Sequence, residues 1–365
     1  MLTIEMLPAG HGDCLWIEYG DPVRRILIDG GPYYSYKHLR DRVEQLDEGD
    51  RHFELLIVTH VDADHIEGVL RLLQEPHLGV SFGDVWFNGT TQINAALDQG
   101  DLLDERQGEY LQALLTDSGQ RWNDAFDGKV VYVRATGDLP VATLAGGATL
   151  TVVSPTAKEL RTLAGHWVDI VEKEGFSTGD TATALKKLKG QKRLQPVDTL
   201  GDPVPPDVLG EADDPPGSDS SVANGSSIAV IFEHGGHRIL LSGDAFPHVL
   251  VGALERYPGG TPIDLAVFKL PHHGSIRNMT DEMIEAVNCA AFAISSNGKY
   301  FGHPNSRAID ALLNALPAES DPQLWFNYLS EQTKPWCDPA RQEAKRYTAM
   351  HPPREGDYGI TIPCQ

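Results

Sequence analysis

The stretch Thr59-His60-Val61-Asp62-Ala63-Asp64-His65 follows the apolar run Leu55-Leu56-Ile57-Val58 and crowds two imidazoles and two carboxylates into six positions. A buried strand has no use for four titratable groups at its end, because each must be desolvated or paired at a cost of several kcal/mol. A metal supplies the missing counter-charge. His60 and Asp62 alternate along an extended tail and share one side, whereas the adjacent Asp64 and His65 can diverge toward a second position. That pattern suits two cations in one site, with centres roughly 3.5 to 4 Å apart as in two-metal hydrolases. A solvated turn before a helix starting near Ile66 would use Asp62 or Asp64 as its N-cap. Capping accounts for one carboxylate and for neither histidine.

Strands and helices must bring distant groups to this cluster. The pattern predicts strands over 2–7, 14–19 and 25–28, the last ending at Asp29-Gly30-Gly31-Pro32, then a helix over 35–46, a strand over 54–59 and a helix over 66–74. Strand patterning resumes at 226–232 and 237–241, and the latter runs into Ser242-Gly243-Asp244. A helix at 247–256 precedes the strand 265–270, which ends in Pro271-His272-His273-Gly274-Ser275. Helix 281–287, strand 290–295, the turn Gly302-His303-Pro304 and helix 307–315 complete this half. The class is α/β, and three strand ends carry chemical groups, where such a sheet presents functional residues. Asp244 alone could close a turn; beside the other two strand ends it reads as a carboxylate bridging both metals.

The series Gly10-His11-Gly12-Asp13, Thr59-His60-x-Asp62-x-Asp64-His65, Asn224-Gly225-Ser226-Ser227, Leu241-Ser242-Gly243-Asp244, Lys269-Leu270-Pro271-His272-His273-Gly274-Ser275 and Gly302-His303-Pro304 resembles the metallo-β-lactamase superfamily. Within it, the chain looks most like the hydrolase domain of the ComEC/Rec2 competence proteins and its soluble relatives. The match covers about residues 1–90 and 224–315. The resemblance implies an αββα sandwich with metals at one edge of the two sheets. It further implies a single domain over 1–365, with a helical insertion at about 88–148, a mobile charged insertion at about 156–223 and a C-terminal extension at about 316–365. Carried across by motif, His60, Asp62 and Asp244 would hold one metal, and Asp64, His65, Asp244 and His273 the other. Two departures are visible: Asp62 stands where the family usually has histidine, and Asn224-Gly225-Ser226 occupies the region of another usual histidine ligand. Oxygen-rich ligation moves preference from Zn²⁺ toward Mn²⁺ or Mg²⁺. One or two divalent ions per chain are expected.

The implied activity is a metal-dependent hydrolase, most of all a phosphodiesterase or nuclease using a metal-activated water. Asp64 would orient that water, and His272, His303 or Lys269 would serve the leaving group. A strand-end lysine paired to an acidic neighbour is the alternative for Lys269, and support of a ligand or packing the alternative for His303. Ser275 is expected to tether a ligand histidine, and His11 and Asp13 to sit by the metal edge. Competing readings are hydrolysis of a small phosphodiester, lactone or thioester, and a non-catalytic regulatory component of a multi-protein system.

Net charge of -22 argues against a general polyanion-binding surface. A nucleic-acid substrate would need a local basic patch, and the densest is Lys186-Lys187-Leu188-Lys189-Gly190-Gln191-Lys192-Arg193. Cys14, Cys289, Cys337 and Cys364 form no short-spaced pair and read as reduced thiols of a cytoplasmic protein. The N-terminus lacks the basic and apolar regions of a signal peptide, and no run approaches the ~20 apolar residues of a membrane span.

Overall fold

Leu2, Ile4 and Met6 are buried along β1 (Leu2–Met6) while Thr3 and Glu5 are partly exposed, the two-residue period of a strand covered on one face. β2 (Leu15–Tyr19) and β3 (Arg24–Ile28) continue an antiparallel meander, and β4 (His52–Ile57) and β5 (Ser81–Trp86) then add in parallel. Parallel neighbours need crossovers. Helices α1 (Tyr36–Glu44) and α2 (Ala63–Leu73) provide them. This computed structural model describes residues 1–97, 106–164, 179–190, 214–317 and 319–364.

The second sheet follows the same plan. β6 (Val141–Thr143), β7 (Thr149–Ser154), β8 (Ala229–His234) and β9 (His237–Leu241) are antiparallel neighbours. A small parallel pair, β10 (Ile263–Leu265) with β12 (Val287–Cys289), lies outside the main sheet. β11 (Val267–Lys269), β13 (Ala291–Ile294), β14 (Gln323–Phe326) and β15 (Thr348–Met350) extend β9 in parallel. The chain closes with β16 (Ile360–Pro363), antiparallel to β1. The C-terminal extension expected over 316–365 thus supplies strands to both sheets.

Ile17, Ile26 and Ile28 of the first sheet share an apolar cluster with Val230, Phe232, Leu240 and Phe268 of the second. Trp16, Leu27 and Leu56 face the opposite way and pack with Leu39 and Val43 of α1 and Ile66 and Val69 of α2. The architecture is mixed α/β. The helical insertion carries α3 (Thr90–Leu97) and α4 (Arg106–Ser118), whereas the strand-like run Val130–Val133 forms only a single bridge, from Val133 to Thr156. In the segment expected to be mobile, α5 (Thr181–Gly190) buries Ala184, Leu185 and Leu188 in the same cluster as Tyr110 and Leu111 of α4. That apolar stripe at helical spacing explains why this part packs, with lysines on its other positions. Lys192, Arg193 and the acidic Glu211-Ala212-Asp213 lie outside the described residues.

Helix α2 starts at Ala63, three residues before the expected Ile66, so Asp64 and His65 fall in its first turn. Asp62 takes the N-cap position but makes no capping bond with its side chain, which leaves its carboxylate for other work. The amide of Gly30 donates to the carbonyl of His65 at 2.8 Å, and the amide of Gly68 donates to the carbonyl of Gly31 at 2.8 Å. So close an approach requires the absence of a side chain: a Cβ on Gly68 would lie 1.9 Å from the carbonyl oxygen of Gly30. Gly68→Ala is therefore expected to push α2 off the end of β3 and destabilise the fold by about 3 kcal/mol, as overpacking does. A chemical denaturation midpoint matching that of the native protein would show that the helix has room to shift.

Candidate metal centre

The groups singled out in the sequence stand just beyond the C-terminal ends of the parallel strands, His60 to His65 after β4, Asp244 after β9, and His272 and His273 after β11, and Asp29 joins them after β3. Asp29 is fully buried and organises the first of these ends. Its carboxylate accepts from the amide of Thr59, from Thr59 Oγ1 and from His65 Nδ1, each at 2.8 Å. Thr59 spends its one hydroxyl proton on Asp29, so its oxygen must accept from His60 Nδ1, 3.0 Å away. His273 Nδ1 donates to the carbonyl of Ser295 at 2.8 Å. The three imidazoles thus carry a proton on Nδ1 and, when neutral, a bare lone pair on Nε2.

Those three Nε2 atoms are buried without a hydrogen-bond partner, as is Oδ1 of Asp244. They converge on carboxylate oxygens. Asp244 Oδ2 lies 3.5 Å from His65 Nε2, 3.7 Å from His273 Nε2 and 3.9 Å from His60 Nε2, and Asp64 Oδ2 lies 3.8 Å from His65 Nε2 and 3.7 Å from His273 Nε2. Two donors held about 2.1 Å from one tetrahedral ion are separated by about 3.4 Å, longer than a good hydrogen bond. The four nitrogen–oxygen separations that His65 and His273 make with Asp64 and Asp244, 3.5 to 3.8 Å, are close to that spacing. His60 Nε2 lies 3.9 Å from Asp244 Oδ2 and 3.6 Å from Asp62 Oδ2, and with His65 and Asp244 it forms a second buried cluster. Buried His and Asp groups that could hold a metal ion are therefore present, and they include His60, His65, Asp64, Asp244 and His273.

Electrostatics points the same way. Burial opposes charge on Asp244, yet His65, His273 and His272 outweigh it and hold the carboxyl well below its usual range. Asp64 is lowered against its burial by His65, His11 and His273. Burial likewise opposes protonation of His65, but Asp244, Asp64 and Asp29 push its pKa well above the ordinary imidazole value. Without ions, the carboxylates favour a proton on His65. Divalent ions would displace that proton, so affinity should fall as pH drops.

His272 and His273 both have left-handed backbones, with φ of 46° and 56°, a costly conformation for residues with a Cβ. It turns the two rings in different directions. His272 Nδ1 donates to Asn278 Oδ1 at 2.8 Å and lies 3.5 Å from Asp219, while its Nε2 faces Asp244 at 3.9 Å. Burial lowers its pKa, but Asp244 and Asp219 prevail and raise it to about 9. Asn224, at the position where the family resemblance led one to look for a histidine, donates to Asp219 at 2.9 Å and contributes no imidazole.

Three expected roles are corrected. Lys269 is buried in an ion pair with Asp13 at 2.8 Å and also donates to the carbonyl of Leu270, so it is a counter-charge inside the protein and not a group held open to a leaving oxygen. His303 packs beside His272, with ring centroids 5.1 Å apart, and burial together with His272 and His273 holds its pKa well below 6.5, which disfavours it as a proton donor. Ser275 Oγ accepts from the amide of Arg277 and caps the turn that follows; the carbonyl of Ser295 tethers the histidine instead.

Asp13 and His11 do reach the site: Asp13 Oδ1 is 3.5 Å from His273 Nδ1, and His11 Nε2 is 3.9 Å from Asp64 Oδ2. Sequence reasoning missed Asp29, Asp219, Asn278 and Ser295 as supports of the site. Asp29 ends an apolar strand before two glycines, as Asp244 ends another, and that signal could have found it. No protein-family model matches the chain, and no curated protein matches it.

Proposed function

We propose that the chain is a metal-dependent phosphodiesterase with the αββα sandwich of the metallo-β-lactamase superfamily. One observation carries this reading: three buried histidines, each with Nδ1 committed to a fixed acceptor, aim unpartnered Nε2 atoms at Asp64 and Asp244. His60, Asp62 and Asp244 would hold one ion, and Asp64, His65, Asp244 and His273 the other. When bound, divalent ions supply Lewis-acid stabilisation of charge on a phosphoryl oxygen and make water more acidic. The chain's own residues do the rest. Asp29 and Thr59 fix the imidazoles, and Asp219 and Asn278 hold His272 with a proton on Nδ1. Asp244 and Asp219 favour a proton on His272, whose Nε2 faces Asp244, and in this reading it would give a proton to a departing oxygen.

Two cations near the site are engaged, Lys269 with Asp13 and Arg277 with Asp214. Substrate charge would therefore be met by ions. That favours a small phosphodiester or a single strand over a duplex gripped along its backbone. Activity should appear on bis-p-nitrophenyl phosphate with Mn²⁺ or Zn²⁺ and disappear with chelator. His272→Asn should retain bound metal while slowing turnover by roughly 10²-fold or more, the typical contribution of a positioned acid. Hydrolysis of lactones with no phosphodiester turnover would replace the substrate class. Full metal loading with no hydrolysis of phosphodiester, lactone or thioester would favour the regulatory reading.

A further inference from the structure

Six large apolar or aromatic side chains are conspicuously exposed among the described residues, and two of them, Tyr34 at 54% and Tyr300 at 52%, flank the same histidine. His11 Nδ1 lies 2.7 Å from the Tyr34 hydroxyl, and the His11 ring lies 4.6 Å from the Tyr300 ring. His11 in turn reaches to 3.9 Å from Asp64, so the aromatic pair stands at the rim of the metal centre. The turn that carries His11 is tied to the loop that carries Tyr300. The amide of Asn297 donates to the carbonyl of Gly10 at 2.8 Å, and the amide of Gly10 donates to the Tyr328 hydroxyl at 2.8 Å. Gly10 also has φ of 65° and packs so closely that a Cβ there would lie 2.2 Å from the Tyr34 hydroxyl.

Tyrosine rings have few side-chain torsions to lose when a ligand stacks on them, and their polar ends stay wet. Buried Lys269 is paired with Asp13, so it is not held open to a substrate, and the exposed rings offer affinity for the part of a substrate beyond its phosphate. Every nucleobase offers a π-face to an aromatic platform. Building on the phosphodiesterase reading, we infer that Tyr34 and Tyr300 form a stacking site for the nucleobase of a nucleotide phosphodiester whose phosphate lies at Asp64 and Asp244. They are specificity residues, not catalytic ones.

The test compares adenosine 5′-monophosphate, ribose 5-phosphate and inorganic phosphate as ligands of the Mn²⁺-loaded protein by calorimetry. The nucleotide should bind about ten-fold or more tighter than ribose 5-phosphate, the increment of one stacked base. In the Tyr34→Ala/Tyr300→Ala double variant that difference should vanish, with bound metal and ribose 5-phosphate affinity unchanged. Tyr34→Phe/Tyr300→Phe should restore it, since stacking needs the ring and not the hydroxyl. Equal affinity for nucleotide and sugar phosphate in the native protein, or a difference that survives in the double alanine variant, would overturn the stacking site and leave the phosphodiesterase reading standing. Failure of the metal-loaded protein to bind any of the three would overturn both.

Discussion

Asp244→Asn is expected to strip most of the divalent ion from the protein and to lower phosphodiester hydrolysis by about 10²- to 10⁴-fold, equivalent to the roughly 3–5 kcal/mol lost when one partner of a buried charge cluster is removed. The substitution is nearly isosteric, so packing is retained and the loss is one of charge. Asp244 Oδ2 faces His60, His65, His272 and His273 within 3.9 Å, and no other carboxylate reaches this many imidazoles among the described residues. An amide in its place leaves those imidazoles buried around a neutral group. Elemental analysis after dialysis checks the first half of the expectation and initial rates the second. Unchanged metal content in the variant would remove Asp244 from the centre.

Asp29→Asn should cost about 10- to 100-fold in metal affinity although Asp29 need touch no ion, the usual effect of losing the partner that orients a ligand histidine. The carboxylate accepts from the Thr59 amide, the Thr59 hydroxyl and His65 Nδ1 at once. An asparagine offers one accepting oxygen for these donors, and its NH₂ opposes whichever of them it meets. If His65 moves its proton to Nε2 in response, the lone pair aimed at the site is lost. Release of Thr59 frees His60 as well, because Thr59 Oγ1 accepts from His60 Nδ1 only while it donates to Asp29. Competitive titration against a chromogenic chelator measures the change. A variant that binds metal as tightly as the native protein would mean that packing alone orients the histidines.

The ligand cluster was legible because it violates the ordinary rule for a buried strand end: Leu55 to Val58 cannot end in four titratable groups without a partner for them. The same contrast marked Asp244 and the His272-His273 pair. It failed for supports contributed by main chain, such as the carbonyl of Ser295, since a carbonyl leaves no trace in residue type. Asp219 was hidden for another reason: it lies in a polar, turn-rich segment where an aspartate carries no contrast, and only the fold brings it to His272 and Asn278. Lys269 was ambiguous locally. A strand-end lysine is equally compatible with substrate and with an internal partner, and the turn carrying Asp13, remote in sequence, decides between them.

Strand and helix types followed from period and breakers, while boundaries shifted where a close approach intervened. Helix α2 begins early because Gly30 and Gly68 let it dock on the end of β3, a tertiary contact that no window of sequence contains. The tail was harder still. It was expected only as an extension over 316–365, and the pairing of Gln323–Phe326 with β13 and of Ile360–Pro363 with β1 depends on partners outside it.

In the proposed reading, His60, Asp62, Asp64, His65, Asp244 and His273 form a metal centre. Equilibrium dialysis of the native protein against Mn²⁺ or Zn²⁺ at neutral pH, followed by elemental analysis, tests it most directly. About one to two ions per chain should be retained, as a two-ion site demands, and the retained amount should fall as the pH is lowered and protons reclaim the imidazoles. A folded protein that retains no divalent ion under these conditions would contradict it.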